Sequence, residues 1–301
     1  MSAIAEIAPV TVRPAEHAAG SDSFQRYYEE AGPDYSSWSR AFNMHFGYFR
    51  WGMNPFDRET MLEQMNLEVL DRLHLSPTEN PRVLDMGCGL GATLRSFARL
   101  LPNADLRGIT LVPWQLEQGT RMNQERPEGQ QIKVSLGDYQ HISDPSASFD
   151  AICAIESSCY GAGASKPAFI REAHRLLRSG GRIVVADGFM GSRKLWGLQK
   201  AIYRRTCECW ALDSFGEVDA FAAELAHAGF RDVVVERIQS RVTPSVLHIP
   251  WVTLRFLVTA ALGRRRMTRA RWNNVLAPLL LPLVSYPLGP LAYYIISATR
   301  A

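Results

Sequence analysis

The central part of the chain alternates short apolar runs with segments of helical spacing. Apolar residues recur on one helix face across Met61–Leu75, and an apolar run beginning at Val83 follows soon afterwards. Further strands are predicted at Leu106–Leu111, at the near-continuous apolar run Phe149–Ile155 and at Arg182–Ala186, and segments long enough for helices separate them. Near-continuous apolar runs are typical of strands buried on both faces of a parallel sheet. The pattern therefore predicts right-handed βαβ units and an α/β fold.

The first predicted strand ends in an acidic residue and a glycine-rich turn. Asp85 is followed by Gly87, Gly89 and Gly91 at alternate positions before a predicted helix. Glycines permit positive φ and leave no Cβ, so backbone amides can approach a ligand closely. The spacing differs from the G-x-G-x-x-G turn that binds a dinucleotide pyrophosphate, which Asp85 would repel. The turn instead suits a ligand that carries an ammonium group.

This D-x-G-x-G-x-G run resembles the first motif of class I S-adenosylmethionine-dependent methyltransferases. The resemblance implies a Rossmann-like, seven-stranded, mostly parallel sheet with an N-terminal helical lid, and S-adenosyl-L-methionine as cofactor. Most members bind the ribose hydroxyls with an acid where this chain has Thr110. Thr110 and Gln115 instead resemble the cyclopropane fatty acid synthase branch, and both side chains can hydrogen-bond a ribose.

Other stretches extend the resemblance. Asp138, after the predicted strand in QIKVSLGDY, matches the family's acid that accepts a hydrogen bond from the adenine amino group. The segment from Leu176 to Ala186 resembles the family's crossover into strand five. The resemblance assigns the following candidate cofactor-binding residues: Tyr27, Asp85, Gly87, Cys88, Gly89, Gly91, Thr110, Leu111, Gln115, Gly137, Asp138, Tyr139 and Ile155.

Two further segments point to a branch of the family. Glu156 opens IESSCYGAG, which resembles a segment of sterol C-methyltransferases and, more loosely, of prenyl-diphosphate C-methyltransferases. The aromatic cluster Phe42–Gly52 occupies the place of their tyrosine-rich N-terminal segments. The resemblance implies C-methylation of a hydrophobic, isoprenoid-derived acceptor through a carbocation, which aromatic faces stabilise and a carboxylate relieves by taking a proton. The candidate catalytic residues are Glu156 as the base, with His45, Tyr28 and Tyr160.

Other interpretations of these residues stay open. Glu156 could anchor the N-terminus of a following helical turn, and His45 could be a core histidine with its hydrogen bonds satisfied. An O- or N-methyltransferase of natural-product biosynthesis would use the same cofactor residues. Thr110 and Gln115 keep a lipid cyclopropane synthase-like enzyme among the alternatives.

Composition narrows the class of partner. The chain has 301 residues, a formal net charge of +3 and a pI near 8.6, which argues against a dedicated nucleic-acid surface. Its five cysteines are an odd number, which favours a reducing compartment and a cytoplasmic location. Cys207 and Cys209 form a lone C-x-C pair, so we expect no metal site.

The C-terminal part has an unusual composition. An insertion at Val246–Pro290 contains Arg264, Arg265 and Arg266, and the uncharged run Val275–Thr299 is long enough for a membrane span. Four prolines in that run argue against a span, so we expect an apolar wall of the substrate pocket and the last strand. Peripheral membrane contact aided by the arginines, diphosphate binding by them, and homo-oligomerisation all stay open.

The expected organisation is one methyltransferase domain at 21–301 behind a flexible arm at 1–20. Its parts are a helical and aromatic lid at 21–80, a cofactor-binding core at 81–191, substrate-side helices with strand six and the insertion at 192–290, and the last strand at 291–301. The expected partner is a small hydrophobic substrate.

Overall fold

A computed structural model describes residues 18–77, 79–285 and 289–301. The predicted arm at 1–20 lies outside these residues except for its last three. The helices are α1 (Ala18–Ala31), α2 (Arg58–Leu73), α3 (Ala92–Leu100), α4 (Pro113–Gln124), α5 (Pro167–Leu176), α6 (Gly197–Cys209), α7 (Val218–His227), α8 (Gln239–Val246), α9 (Ile249–Leu262) and α10 (Arg269–Val284). The strands are β1 (Arg82–Met86), β2 (Asp105–Thr110), β3 (Ile132–Leu136), β4 (Phe149–Ile155), β5 (Leu177–Met190), β6 (Gly216–Glu217), β7 (Phe230–Arg237) and β8 (Leu291–Arg300).

All described strands belong to one sheet. Its order is β3-β2-β1-β4-β5-β8-β7, and the two-residue β6 pairs with β5 outside this path. The pairs from β3 to β5 are parallel, whereas β8 runs antiparallel to both β5 and β7. The predicted fold class is therefore confirmed: seven strands form the main sheet, mostly parallel, and the last strand in the chain is inserted between the fifth and the seventh.

The sheet is buried on both faces, as the apolar runs predict. In β4, Ala151 and Cys153 belong to the apolar cluster on one face, and Ile152 and Ala154 to the cluster on the other. Residues that alternate in a strand point to opposite faces. The carboxyl ends of the parallel strands meet at one edge, where ligands bind in folds of this kind.

The helices that follow β7 cover this edge together with the lid. The predicted insertion contains two helices: α9 lies wholly within Val246–Pro290, and α10 includes residues 275–284 of the uncharged run predicted as a pocket wall. Pro278 and Pro282 lie inside α10. Among the described residues, one stretch, Gln239–Leu262, is long and apolar enough to cross a membrane by length and composition, and it is not the run that the sequence singled out.

Candidate active site

Two neighbouring cavities lie at the carboxyl edge of the sheet. The smaller, about 760 Å³ with its mouth, lies against the glycine turn and the ends of β1, β2 and β4. The larger, about 1340 Å³ with its mouth, lies between the lid, β8 and the helices α8, α9 and α10. Five residues line both cavities: Tyr28, Met44, His45, Glu156 and Tyr160. The four candidate catalytic residues are thus brought together where the cavities meet.

The glycine turn leaves no space for a side chain at its first position. Gly87 has φ +100°, and a Cβ added there would lie 2.4 Å from the Cβ of Ser157. The amides of Gly87 and Cys88 both donate to the carbonyl of Ile109, at 3.1 and 3.0 Å. The turn is therefore held against β2, with Gly87, Cys88 and Gly89 lining the smaller cavity.

Asp85 lies in the smaller cavity with its side chain almost fully buried. Desolvation raises the pKa of its carboxyl to about 7. A buried carboxylate is costly unless a cation or hydrogen-bond donors accompany it. The site therefore fits an ammonium group such as that of an amino-acid-like cofactor.

Thr110, the last residue of β2, lies against Gln115 of α4. The Thr110 hydroxyl donates to Gln115 Oε1 at 2.6 Å and accepts from the amide of Val112 at 3.2 Å. Both side chains are buried and line the smaller cavity. Their remaining donors and acceptors suit the hydroxyls of a ribose.

The other candidate cofactor residues divide into two groups. Cys88, Leu111, Gly137, Tyr139 and Ile155 line the smaller cavity, as do the turn residues described above. Three candidates are not among its lining residues: Tyr27, Gly91 and Asp138.

Each of the three has a local reason for its position. The Tyr27 hydroxyl donates to Asn274 of α10 at 2.9 Å, and Asn274 lines the larger cavity rather than the smaller one. Gly91, with φ +76°, is the N-cap of α3. The Asp138 carboxylate accepts from the amide of Gln140 at 2.8 Å. Its contact with adenine stays a prediction.

Sequence reasoning missed several lining residues. Phe24 and Met44 come from the lid, and Ser157 directly follows Glu156, the catalytic candidate beyond the end of β4. The Ser157 hydroxyl donates to the carbonyl of Met86 at 2.5 Å, and its own carbonyl accepts from the Tyr139 hydroxyl at 2.9 Å. No sequence signal marks Ser157 except that it adjoins Glu156.

Glu156 stands directly after β4 in a left-handed conformation, with φ +49°. Such a φ is uncommon outside glycine and turns the side chain out of the sheet's alternation. Its Oε1 accepts from the amide of Phe46 at 2.6 Å and from the Tyr293 hydroxyl at 2.9 Å. Desolvation, opposed by these hydrogen bonds, raises the pKa of the Glu156 carboxyl to about 8. A carboxyl with such a pKa can exchange a proton near neutral pH.

The secondary candidates are held in different ways. The hydroxyls of Tyr28 and Tyr160 lie 2.9 Å apart, and that of Tyr160 also contacts the carbonyl of Trp210 at 3.3 Å. In His45, Nδ1 lies 2.9 Å from the carbonyl oxygen of Phe46 and Nε2 lies 3.0 Å from Asn66 Oδ1. Both partners are acceptor oxygens, so a neutral His45 ring donates to only one of them, and burial lowers the pKa of His45. The catalytic role of His45 stays a prediction.

The larger cavity is apolar and aromatic, and its ionisable side chains include carboxyl groups but no described Lys or Arg. Its acidic residues are Asp34, Glu156 and Asp187, and its described lining residues include no Lys or Arg. Asp187 accepts from the Ser158 hydroxyl at 2.7 Å and from the amides of Cys159 and Gly188. Asp34 lies 3.4 Å from Nε of Arg271, which ties the lid to α10. The aromatic lining residues are Tyr28, Tyr35, Trp38, Phe46, Tyr160, Trp210, Phe215, Phe256 and Tyr293.

Comparison with known proteins agrees with this geometry. Residues 83–181 match a methyltransferase domain family. An O-methyltransferase of Pyrenophora dematioidea is 33% identical over 145 residues, 48% of this chain and 52% of that protein. Cycloartenol-C-24-methyltransferase of Arabidopsis thaliana is 29% identical over 161 residues, 53% of this chain and 45% of that protein. The chain thus spans about half the length of these curated relatives.

The fold has close counterparts among solved structures. The cyclopropane synthase MmaA2 from Mycobacterium tuberculosis superimposes with a TM-score of 0.79 at 16% identity, over 95% of this chain and all of that chain (100%). The match at 83–181 and the fold agree with the predicted resemblance to class I S-adenosylmethionine-dependent methyltransferases, whose methyl donor is the predicted cofactor, S-adenosyl-L-methionine.

Proposed function

We propose that the chain transfers a methyl group from S-adenosyl-L-methionine to a carbon atom of a hydrophobic, isoprenoid-derived acceptor. The observation that supports this most is that Glu156, His45, Tyr28 and Tyr160 line both cavities. A donor held in the smaller cavity and an acceptor in the larger one would meet beside Glu156. Enclosure by the lid aligns the two reactants and excludes water.

The residues of the smaller cavity fit the cofactor. Asp85 would pair with its ammonium group, and Thr110 and Gln115 would hydrogen-bond its ribose. The side-chain-free backbone of Gly87 and Gly89 would lie against its amino-acid portion. When bound, the cofactor supplies an electrophilic sulfonium methyl group.

The larger cavity suits an acceptor on which positive charge develops. An alkene carbon that gains a methyl group leaves a carbocation on its neighbour. The aromatic lining of the larger cavity stabilises a cation through its ring faces. An oxygen of the Glu156 carboxylate then accepts a proton from the carbon beside the cation, which yields a neutral alkene. A nearby positive charge favours the ionised form of Glu156 during this step.

The charge of the lining favours a neutral acceptor. Three acidic residues line the larger cavity and its described lining contains no Lys or Arg, so the lining offers no basic side chain to pair with an anionic diphosphate. The arginines at 264–266 are exposed and lie outside that lining. Among the acceptor classes that the sequence suggests, a sterol or a prenylated natural product fits better than a prenyl diphosphate.

The test is incubation with isotopically labelled methyl donor and a panel of neutral sterols, prenylated aromatics, unsaturated lipids and prenyl diphosphates, followed by product analysis. We expect the label on carbon, together with a new double bond. Glu156→Gln should lower turnover about a hundredfold or more and change affinity for S-adenosylhomocysteine by less than about threefold. Unchanged turnover in Glu156→Gln would remove Glu156 from the chemistry.

The same assay separates the alternatives. A label on oxygen or nitrogen would identify an O- or N-methyltransferase, with Glu156 as a base for a hydroxyl or amine. A product with a three-membered ring and no new double bond would identify a cyclopropane synthase-like enzyme. Methylation of a prenyl diphosphate in preference to every neutral acceptor would contradict the argument from charge.

A further inference from the structure

The outer face of α9 is apolar although it faces away from the protein. Trp251, Leu254, Val258 and Leu262 are 64%, 54%, 48% and 81% exposed. Their spacing of three or four residues places them on one stripe of the helix. An exposed apolar stripe of this length marks a surface with a partner.

The inner face of the same helix is fixed to the protein. Ile249, Phe256 and Ala260 are buried, and Ile249, Val252 and Phe256 line the larger cavity. A helix that spanned a bilayer would have to leave these contacts. The stretch Gln239–Leu262 is apolar enough for a span, and 22% of its most apolar window is buried. The geometry therefore favours a helix that lies at a membrane surface over one that crosses it.

The charges around the stripe identify the partner. Arg255, Arg264, Arg265, Arg266 and Arg269 are exposed, and residues 238–301 contain no Asp or Glu. Exposed basic residues beside an apolar helix face are typical of contact with anionic lipid headgroups. If the partner were a second copy of this chain, the arginines of the two copies would lie close together and repel each other.

The apolar surface continues beyond α9. His248 Nε2 lies 2.8 Å from the carbonyl oxygen of Pro55, which brings the loop at 51–56 beside the start of α9. Trp51 and Phe56 in that loop are 85% and 86% exposed. Large exposed aromatic side chains are favoured at the boundary between lipid and water.

We infer that α9, with the loop at 51–56 and the arginines at 264–266, binds the surface of an anionic lipid bilayer. The larger cavity would then lie directly behind the membrane-bound helix. A hydrophobic acceptor dissolved in the bilayer could enter it without crossing water. The lipid contact needs neither cofactor nor acceptor, so it can be tested apart from the proposed methyl transfer.

The experiment is flotation of the full chain with vesicles of phosphatidylcholine alone or with about a third phosphatidylglycerol. Binding should be at least about tenfold stronger to the anionic vesicles and should weaken with added salt. R264Q/R265Q/R266Q should lose about tenfold or more of that affinity. The double variant Trp251→Ser, Leu254→Ser should lose a similar factor of affinity for both kinds of vesicle, because it removes apolar contact with the lipid.

Matched controls come from another surface. Leu100 on α3 is 49% exposed and Arg231 on β7 is exposed, so Leu100→Ser and Arg231→Gln should bind vesicles as the native chain does. Equal binding by all variants, or no binding to anionic vesicles, would overturn the inference. Protein that resists extraction from the vesicles at high pH would indicate a span and would also contradict it. A dimer that Trp251→Ser dissociates, without vesicle binding, would assign the stripe to a second copy.

Discussion

Replacement of Glu156 by glutamine tests the electrostatics of the site through stability alone. Desolvation raises the pKa of the Glu156 carboxyl from 4.5 to about 8, so the folded chain holds this proton more tightly than the unfolded chain. The stability that the protonated carboxyl contributes is complete below pH 4.5 and is lost as the pH rises through 8. About 3.5 pKa units at about 1.36 kcal/mol each correspond to a loss of about 5 kcal/mol at high pH.

Glutamine retains an acceptor oxygen for the Phe46 amide and the Tyr293 hydroxyl but cannot ionise. Between pH 6 and pH 8 the native chain loses the stability that corresponds to about two of these pKa units. The stability of Glu156→Gln relative to the native chain should therefore rise by about 3 kcal/mol between pH 6 and pH 9. Urea unfolding of the ligand-free protein at both pH values measures this gain. Glu117→Gln, at an exposed position on α4, should show none. A stability difference for Glu156→Gln that is the same at both pH values would refute the desolvation of Glu156.

Further predictions concern the cofactor side and its support. Because the pKa of Asp85 is about 7, affinity for S-adenosylhomocysteine by calorimetry should rise about tenfold from pH 6 to pH 8, and Asp85→Asn should abolish that rise; a persistent rise would contradict it. Gly87→Ala should lower the unfolding free energy by about 2 kcal/mol or more, because the added Cβ would lie 2.4 Å from the Cβ of Ser157. Gly180→Ala, with φ +77° and open space, should cost about 1 kcal/mol, and equal losses would refute the steric argument. Lys166→Met should cost about 3 kcal/mol in urea unfolding, because the buried Lys166 ammonium donates to three carbonyls.

The sequence predicts the sheet and the glycine turn well because both depend on local patterns. β4 spans Phe149–Ile155, as the apolar run indicates, and the turn from Asp85 to Gly91 joins β1 to α3. The position of Glu156 beside residues of the lid depends on contacts between distant segments. Phe46, whose amide binds Glu156, lies 110 positions earlier, and only the resemblance to known families suggested that the two meet.

The sequence did not predict which face of a helix each side chain occupies. Tyr27 and Tyr28 are neighbours on α1, and only the second faces the cavities, because successive helical residues point about a quarter turn apart. Apolar composition identified the C-terminal region as unusual but could not show that α9 is apolar on its exposed side as well as its buried one. Nε2 of His45 lies against Asn66 Oδ1 of α2, a contact between distant segments that no local pattern indicates.

The most direct test of the central claim is a crystal structure of the chain with S-adenosylhomocysteine. We predict the nucleoside in the smaller cavity, its ammonium group against Asp85 and its ribose beside Thr110 and Gln115. Its sulfur should face the junction at Glu156, open towards the larger cavity. A nucleoside bound in the larger cavity, or one whose sulfur faces away from Glu156, would contradict the account.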